Sequence, residues 1–392
     1  MADLLKHPPT GKIAIRKIAL ITSMADTLAN FRGPLIADMA DAGVEVLALA
    51  PDYDERTRKA VRAYGGHPVD ISLDRTGMRP WRDVTDMFKL ALQLRRLKPD
   101  ATFSYFVKPV IYGSIAAWMA GVRSCFAMVA GLGYVFTDCA TPNSLKRRAI
   151  RWITSRLYRL GFLLCDKVFF QNQDDLRQFV DANLLPESKA LLISGSGVDL
   201  ENLPYVLPQT SNPVFLLMAR LLREKGIYEY VEAARIIKRT SPHARFILLG
   251  KTDSNPGSLT EAQVGQWVDE GLIEWYGHVE DVRPWLVQSS VYVLPSWREG
   301  KPRSTQEAMA IGRAVITTDA PGCRDTVDPG MNGFLVPVQD PEALASAMMR
   351  FIVEPELIKT MGAASRKIAE EKFDARKINR FILSQSGILK FD

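Results

Sequence analysis

The sequence predicts an α/β protein made of two doubly wound, Rossmann-like domains. Short apolar runs alternate with longer amphipathic stretches along the chain, the pattern of parallel strands covered on both faces by helices. The alternation comes as two series. Between them lies Glu201–Pro213, ENLPYVLPQTSNP, which holds three prolines and no helical period and reads as a linker. The 392 residues are enough for two domains of ordinary size.

The first series opens after a loose lead-in, residues 1–16. Lys17–Thr22, KIALIT, is an apolar run that fits a buried strand. A loop follows, then a helix from Pro34 with Leu35, Met39 and Val44 apolar, then a strand at Val44–Ala50, which together make a βαβ unit. Further strands are expected near His67–Ile71, Ala101–Tyr105, Ser124–Ala130, Lys167–Gln171 and Ala190–Ser194. Helices are expected near Pro80–Leu97, Val110–Ala120, Asn143–Leu163 and Gln173–Asn183. No G-x-G-x-x-G follows the first strand, which argues against a dinucleotide site. The second series has strands at Val214–Ala219, Arg245–Gly250, Ile273–Tyr276, Val291–Leu294 and Ala314–Thr317, with helices between and a last helix near Ala375–Leu389. The expected domains are 1–205 and 206–374, with 375–392 as a terminal helix. Ligands of such sheets bind beyond the carboxyl ends of the strands, so the loops there are where chemistry is sought.

Composition narrows the classes. Hydrophobic residues make up 47% and charged residues 24%, as in a globular chain. No apolar run reaches the roughly 18–20 residues that span a bilayer. The N-terminus lacks a long apolar core and a small-residue cleavage site, so it is not expected to be a secretion signal. Cys125, Cys139, Cys165 and Cys323 lack CxxC spacing, and His7, His67, His243 and His278 lack ligand spacing. Reduced thiols and no zinc site follow. The net charge of +6 is modest, so its location matters more than its total.

Three loops carry the candidate chemistry of the second domain. The segment 295–312, PSWREGKPRSTQEAMAIG, joins a strand to a helix that starts near Arg303. Glu299 stands in the loop and Glu307 about one turn into the helix, so both can face one ligand. Between them lies a helix N-terminus, whose unpaired N–H groups and dipole favour a phosphate. Pro302 suits the first helical position, and Gly300 lets backbone approach a ligand closely. After strand Val214–Ala219 comes ARLLREKG, with Arg220 at the strand end and Lys225 before Gly226 and a helix at Ile227–Lys238. Two such cations can clamp a departing diphosphate. An isolated Arg–Lys pair is more often surface charge; the two glutamates tip the reading toward function. Tyr276–Asp281 is the third loop. Its His278 has no partner in the sequence that would make it a catalytic base.

The E-G-x-P…E-A-M-A-x-G pattern, at Glu299, Gly300, Pro302, Glu307, Ala308, Met309, Ala310 and Gly312, resembles the E-x7-E segment of retaining, nucleotide-sugar-dependent glycosyltransferases of the GT-B fold, the large family 4 in particular. The resemblance implies two Rossmann-like domains facing across a cleft, with the last helix crossing back to the first domain. It implies that Arg220 and Lys225 neutralise the donor diphosphate, and that Glu299 binds hydroxyls of the donor sugar. Glu307 would hold the ribose, Val279 would meet the base through its backbone, and the N–H groups of Gly300 and Lys301 would meet diphosphate or sugar. Ser304, Thr305 and Gln306 depart from the aliphatic residues many relatives carry there.

In the first domain FSYFVKPVIYGS carries Lys108 and Tyr112 after a strand, AGLGYVFT is a glycine turn at Gly131–Thr137, and FFQNQDD carries Asn172 and Asp174. Asn30–Gly33 is a fourth such loop, and Gly195-Ser196-Gly197 reads as an ordinary turn. These loops sit where an acceptor or donor phosphate would meet the domain, and Lys108 is the candidate cation. The VKPxxYGS, GLGYxFT and FFQNxDD strings resemble a bacterial subgroup that builds oligosaccharides on undecaprenyl pyrophosphate, including N-acetylgalactosaminyltransferases of N-glycan, capsule and O-antigen pathways.

The expected activity is therefore transfer of a sugar from a UDP-sugar, with retention, to a polyprenyl-pyrophosphate-linked saccharide. No aspartate-rich metal motif stands beside these residues, so no metal and no cofactor are expected. The stretch 144–164 carries Lys146, Arg147, Arg148, Arg151, Arg156 and Arg159 and no acid, with Leu145, Ala149, Ile153, Leu157 and Leu164 on one helical side and Trp152 and Tyr158 at its margins. Two readings stand: a helix on an anionic inner-membrane surface, giving a cytoplasmic, peripheral enzyme, and a core-facing helix with a solvated basic side. Nucleic acid explains the charge less well, because no recognised binding module accompanies it. The rivals are a nucleotide-sugar 2-epimerase, a phosphorylase with pyridoxal phosphate, and a catalytically silent scaffold.

Overall fold

Two parallel sheets organise the chain. The structure, a computed structural model, describes residues 14–73, 80–132, 145–252 and 257–389. Most of the lead-in with His7, the Gly133–Thr137 part of the glycine turn, Cys139, residues 143–144 at the expected start of the basic helix, and the side chains of Leu145, Lys146 and Arg147 lie outside what is described. The chain divides into one unit of Met1–Ser196 with Ala375–Asp392 and a second of Gly197–Asp374.

The first unit runs β1 (Lys17–Ile21), α1 (Ala25–Phe31), α2 (Gly33–Asp41), β2 (Glu45–Ala50), α3 (Glu55–Ala63), β3 (Gly66–Asp70), α4 (Pro80–Leu97) and β4 (Ala101–Tyr105). A π-helical turn at Pro109–Gly113 leads into α5 (Ser114–Ala120), followed by β5 (Ser124–Val129), α6 (Leu145–Leu163), β6 (Lys167–Phe170), α7 (Gln173–Asp181) and β7 (Ala190–Leu192). The strand order is β3-β2-β1-β4-β5-β6-β7, all parallel. Period-2 alternation sends Ile18, Leu20, Val46 and Ala48 to the α1–α3 face, and Ala19, Ile21, Leu47 and Leu49 to the face covered by α4 and α5. Farther along that second face, Ala127, Val168 and Phe170 pack with Tyr158 and Phe162 of α6 and Phe179 of α7. Each of the larger apolar side chains among these, Val, Leu, Ile and Phe, contributes about 1.5–3 kcal/mol, which is what holds both helix layers to the sheet.

The second unit runs β8 (Val214–Met218), α8 (Ile227–Lys238), β9 (Arg245–Leu249), α9 (Glu261–Asp269), β10 (Glu274–Trp275), α10 (Arg283–Gln288), β11 (Val291–Leu294), α11 (Arg303–Ile311), β12 (Ala314–Thr318), β13 (Gly333–Val336), α12 (Pro341–Val353) and α13 (Glu356–Lys372). Its order is β10-β9-β8-β11-β12-β13. The order reverses between β8 and β11, so the loops after these two strands flank the crevice of a doubly wound sheet. Those loops hold Arg220, Lys225 and Glu299. The chain then re-enters the first unit as α14 (Ala375–Gln385), which packs on α2 and is pinned by an Asn379 amide donating to Asp38 at 2.7 Å.

Several elements differ from expectation. The loop before Pro34 contains α1. Between β2 and β3 lies α3, whose sequence is mostly charged and buries only Thr57 and Val61; Asp54 and Thr57 start it with a reciprocal cap. The edge strand β13 was not expected. A Cβ at Gly333 would fall 1.7 Å from the Val315 carbonyl, so this strand needs glycine where strand propensity reads weakest. The helix expected from Val110 begins instead with the π turn. Glu201–Pro213 is not a free linker. The unit boundary falls earlier, at Ser196–Gly197, where Val198 N–H donates to the Phe373 carbonyl at 2.8 Å. The proline stretch then lies on the second unit: Leu203 is buried, and Val206 N–H donates to the Ile311 carbonyl at 3.0 Å.

Candidate active site

The loops after β8 and β11 are bound to each other by backbone. Gly226 has φ 71°, and a Cβ there would lie 2.1 Å from the Pro295 carbonyl oxygen. Trp297 N–H donates to the Glu224 carbonyl at 2.9 Å. This close approach sets Lys225 beside Glu299, with Nζ 2.5 Å from Oε1 and side chains 14% and 16% exposed. The ammonium is therefore held at the strand ends, where a diphosphate charge would need it. A third loop completes the support. Glu299 N–H donates to the Pro321 carbonyl at 3.0 Å, and Gly322, at φ 77°, lets the backbone after β12 pass under Glu299 and Gly300. A Cβ at Gly322 would meet the Glu299 carbonyl oxygen at 2.3 Å. Gly226 was seen in the sequence only as a helix start, and Pro321-Gly322 was not singled out.

Helix α11 supplies the second carboxylate. Arg303 Nε donates to Glu307 Oε1 at 2.9 Å, an i,i+4 pair at the partly exposed start of the helix. Burial raises the Glu307 carboxyl above its ordinary range, and the Arg303 charge opposes that shift. Pro302 is the residue before the helix, with ψ 115°, rather than its first turn. As the N-cap residue, Pro302 supplies no side-chain cap to the first turn. Lys301 turns its ammonium onto Asp325, 2.9 Å away. Tyr292 of β11 lies beneath the site, its hydroxyl 2.6 Å from Ser304 Oγ. Burial pushes its phenol well up, helped by the charges of Glu307 and Glu299. Gln306 is fully buried, and neither its amide oxygen nor its nitrogen has a hydrogen-bond partner. That is the physical content of its departure from an aliphatic residue.

Arg220 follows β8 and is exposed. Its carbonyl accepts from Leu222 N–H at 2.7 Å, which turns the chain toward Lys225. Val279 is half-buried and packs with Val282 and Trp285 against the core under α10 and α11. Gly277, at φ 68°, offers its carbonyl to Gly250 N–H at 2.7 Å, so this loop is anchored next to the end of β9. His278 is exposed, and none of the described residues makes a hydrogen bond or ion pair with its side chain. Among the described residues no group of three His, Cys, Asp or Glu stands close enough to hold a metal ion.

In the first unit Lys108 follows β4 across Phe106, a non-glycine residue at φ 74°. Left-handed backbone on an aromatic residue followed by a π turn marks a segment held in place by its surroundings. Lys108 Nζ lies 2.7 Å from Asp83 of α4, with side chains 17% and 7% exposed. Tyr112 belongs to the same group: burial raises its phenol, and the Asp83 charge adds to that. Arg32, between α1 and α2, is 4% exposed, donates to Met128 Sδ and lies 5.2 Å from the Tyr105 ring centre. Asn172 is a buried cap: its side chain accepts from Asp175 N–H at 2.7 Å and starts α7. No helix among the described residues is long and apolar enough to cross a membrane.

Residues 29–194 match the glycosyl transferase 4-like domain, and residues 212–354 match glycosyl transferases group 1. Together the two span well over half of the chain. A relative from Campylobacter jejuni, N,N'-diacetylbacillosaminyl-diphospho-undecaprenol alpha-1,3-N-acetylgalactosaminyltransferase, is 26% identical over 354 residues, 87% of this chain and 90% of that one. Sucrose-phosphate synthase from Thermosynechococcus elongatus shares the fold at TM-score 0.76 and 19% identity, over 94% of this chain and 98% of that one. HepE from Anabaena, in complex with UDP and glucose, shares it at TM-score 0.73 and 17% identity, over 95% of this chain and 100% of that one. With both family models matched in order and the GT-B fold shared, this chain belongs to the group 1, 4-like family of glycosyltransferases.

Proposed function

We propose that this glycosyltransferase moves a sugar from a UDP-sugar to a saccharide carried on a polyprenyl diphosphate, with retention at the anomeric carbon. The observation that carries the reading is the Lys225–Glu299 contact in the loop that leads into α11, together with the Arg303–Glu307 pair. It gathers a cation, two carboxylates and a helix N-terminus, the set needed for a diphosphate, a sugar and a ribose. The Campylobacter relative is named for a diphospho-undecaprenol substrate, and HepE was captured with UDP and glucose; both support the substrate classes.

In this reading Arg220 and Lys225 neutralise the diphosphate as it leaves. Glu299 binds hydroxyls of the sugar, and its contact with Lys225 holds both groups in place before the donor arrives. Glu307 binds the ribose hydroxyls, with Arg303 fixing its carboxylate. Gly300 and Lys301 contribute N–H groups, and the Val279 backbone meets the base. Lys108 of the first unit meets a phosphate. The bond from the anomeric carbon to the β-phosphate oxygen breaks, and a bond to the acceptor oxygen forms on the same face. The acceptor proton passes to the departing phosphate, so no protein nucleophile is needed. The cations do the work of a metal, and the enzyme acts without one. It works at the cytoplasmic face of the inner membrane, where a lipid-linked acceptor would be held.

The test is transfer from a panel of radiolabelled UDP-sugars into lipid-linked glycans extracted from bacteria, with and without EDTA. Label from one donor should enter the lipid phase in both conditions. No transfer from any UDP-sugar by the folded protein refutes the donor class. Loss of transfer with EDTA refutes metal independence.

A further inference from the structure

The helices α4, α5 and α6 lie side by side on one face of the first sheet. Their outward side is unlike a solvated helix face. On α4, Leu90, Ala91 and Leu94 pack on the sheet, as an amphipathic helix requires. On the opposite side Trp81, Val84, Phe88 and Leu92 recur at three- and four-residue spacing, 88%, 39%, 49% and 58% exposed. The acids of α4 do not balance this stripe: Asp83 is turned in to Lys108 and Asp86 to Ser72. Trp118 of α5 is also exposed. On α6 the side buried in the core is Tyr158, Gly161 and Phe162. Trp152 and Ile153, expected at the margin and on the apolar side, are 61% and 51% exposed. They share the outward face with Arg148, Arg156 and Arg159, and Arg156 lies 5.4 Å from the Trp152 ring centre. No exposed carboxylate stands on the described part of these three helices.

We infer that the outward face of α4–α5–α6 is a bilayer-docking surface, in which the Trp81–Phe88–Leu92 stripe enters the acyl boundary while the α6 arginines sit on anionic headgroups. Exposed tryptophans mixed with arginines and without acids match an anionic interface, apolar below and negative at its surface. A two-fold dimer through the same patch fits worse, because it sets an uncompensated positive face against itself. The inference rests on the lipid-linked acceptor reading for its choice of partner and deepens it. Trp81 is two residues from Asp83, so the stripe begins where Lys108 is held, and docking sets Lys108 near the level of lipid phosphates.

The test uses the full chain and co-sedimentation with vesicles of phosphatidylethanolamine and phosphatidylglycerol, or of phosphatidylcholine alone, without donor or acceptor. The wild type should bind the anionic vesicles. Trp81→Ser/Phe88→Ser/Leu92→Ser should bind about ten-fold more weakly or worse, at low and high salt alike. Arg148→Gln/Arg156→Gln/Arg159→Gln should lose the anionic preference and the part of binding that salt screens. Thermal unfolding of both variants should match the wild type, since all six side chains are exposed. Unchanged binding by the α4 variant overturns the inference. So does a wild type that ignores anionic vesicles, or one that forms a dimer lost in the α4 variant. Vesicle binding is read without any transfer, so a failed donor panel would leave this result standing, and failed docking would leave the transferase reading standing.

Discussion

Lys225→Met, Glu299→Gln and the double variant separate two roles of one contact. Lys225 and Glu299 touch at 2.5 Å and are about one-seventh exposed. Breaking a fully buried pair costs about 3–5 kcal/mol, because the surviving charge is stranded. Residual exposure lets water reach the survivor here, so each single variant should lose about 2 kcal/mol of unfolding free energy. The double variant strands nothing and should recover most of that loss in urea unfolding. Activity should behave differently. If Lys225 stabilises the departing diphosphate, Lys225→Met lowers kcat about 10²–10³-fold, the cost of one charge-stabilising donor. Adding Glu299→Gln cannot restore a charge to the diphosphate, so the double variant should be stable and slow. A double variant whose kcat recovers with its stability would refute the clamp and leave Lys225 a holder of Glu299. Unchanged transfer by Lys225→Met would refute it more directly.

Gln306→Leu should raise stability by about 1–2 kcal/mol in denaturant titration, because it removes a buried amide without partners from an otherwise apolar helix face; a loss of similar size would show that the amide has a partner in solution. Glu307 has a raised carboxyl pKa, so its stabilising contribution is full below the unfolded value of 4.5 and is lost as pH rises through the higher folded value. Between pH 4 and pH 7 the wild type should therefore lose unfolding free energy that Glu307→Gln keeps, and parallel pH curves would count against it. Gly322→Ala should abolish most transfer and lower stability by more than about 2 kcal/mol, since its Cβ meets the Glu299 backbone in left-handed geometry; transfer at the wild-type rate would sink the support role. Asn172→Ala should cost about 1 kcal/mol as a lost cap and leave the KM for the donor unchanged; a large KM rise would return Asn172 to the substrate.

The fold was legible where burial alone decides the residue. KIALI and VYVL are buried at almost every position in parallel sheets, and such strands read as apolar runs without a polar phase. Helix α3 was not legible, because it buries one small face and earns its start from a cap. β13 was hidden by Gly333, whose reason is a neighbouring carbonyl that sequence does not display. The linker was misread for the opposite reason: prolines mark irregular backbone, but they do not say that Leu203 is buried on the second unit.

The candidate site divides along the same line. Glu299, Glu307, Arg220 and Lys225 could be picked out because charged residues at strand ends are chemically conspicuous. Their partners were hidden, and the partners decide what each can do. Lys301 is engaged by Asp325 and Lys108 by Asp83, pairings set by fold contacts, while Glu307 is engaged by Arg303 at an i,i+4 spacing that by itself does not read as chemistry. Two glycines of no chemistry of their own, Gly226 and Gly322, bring three loops within backbone contact. A motif therefore names the groups, while close backbone approach fixes their distance, and distance is what turns a lysine and a glutamate into a preorganised pair.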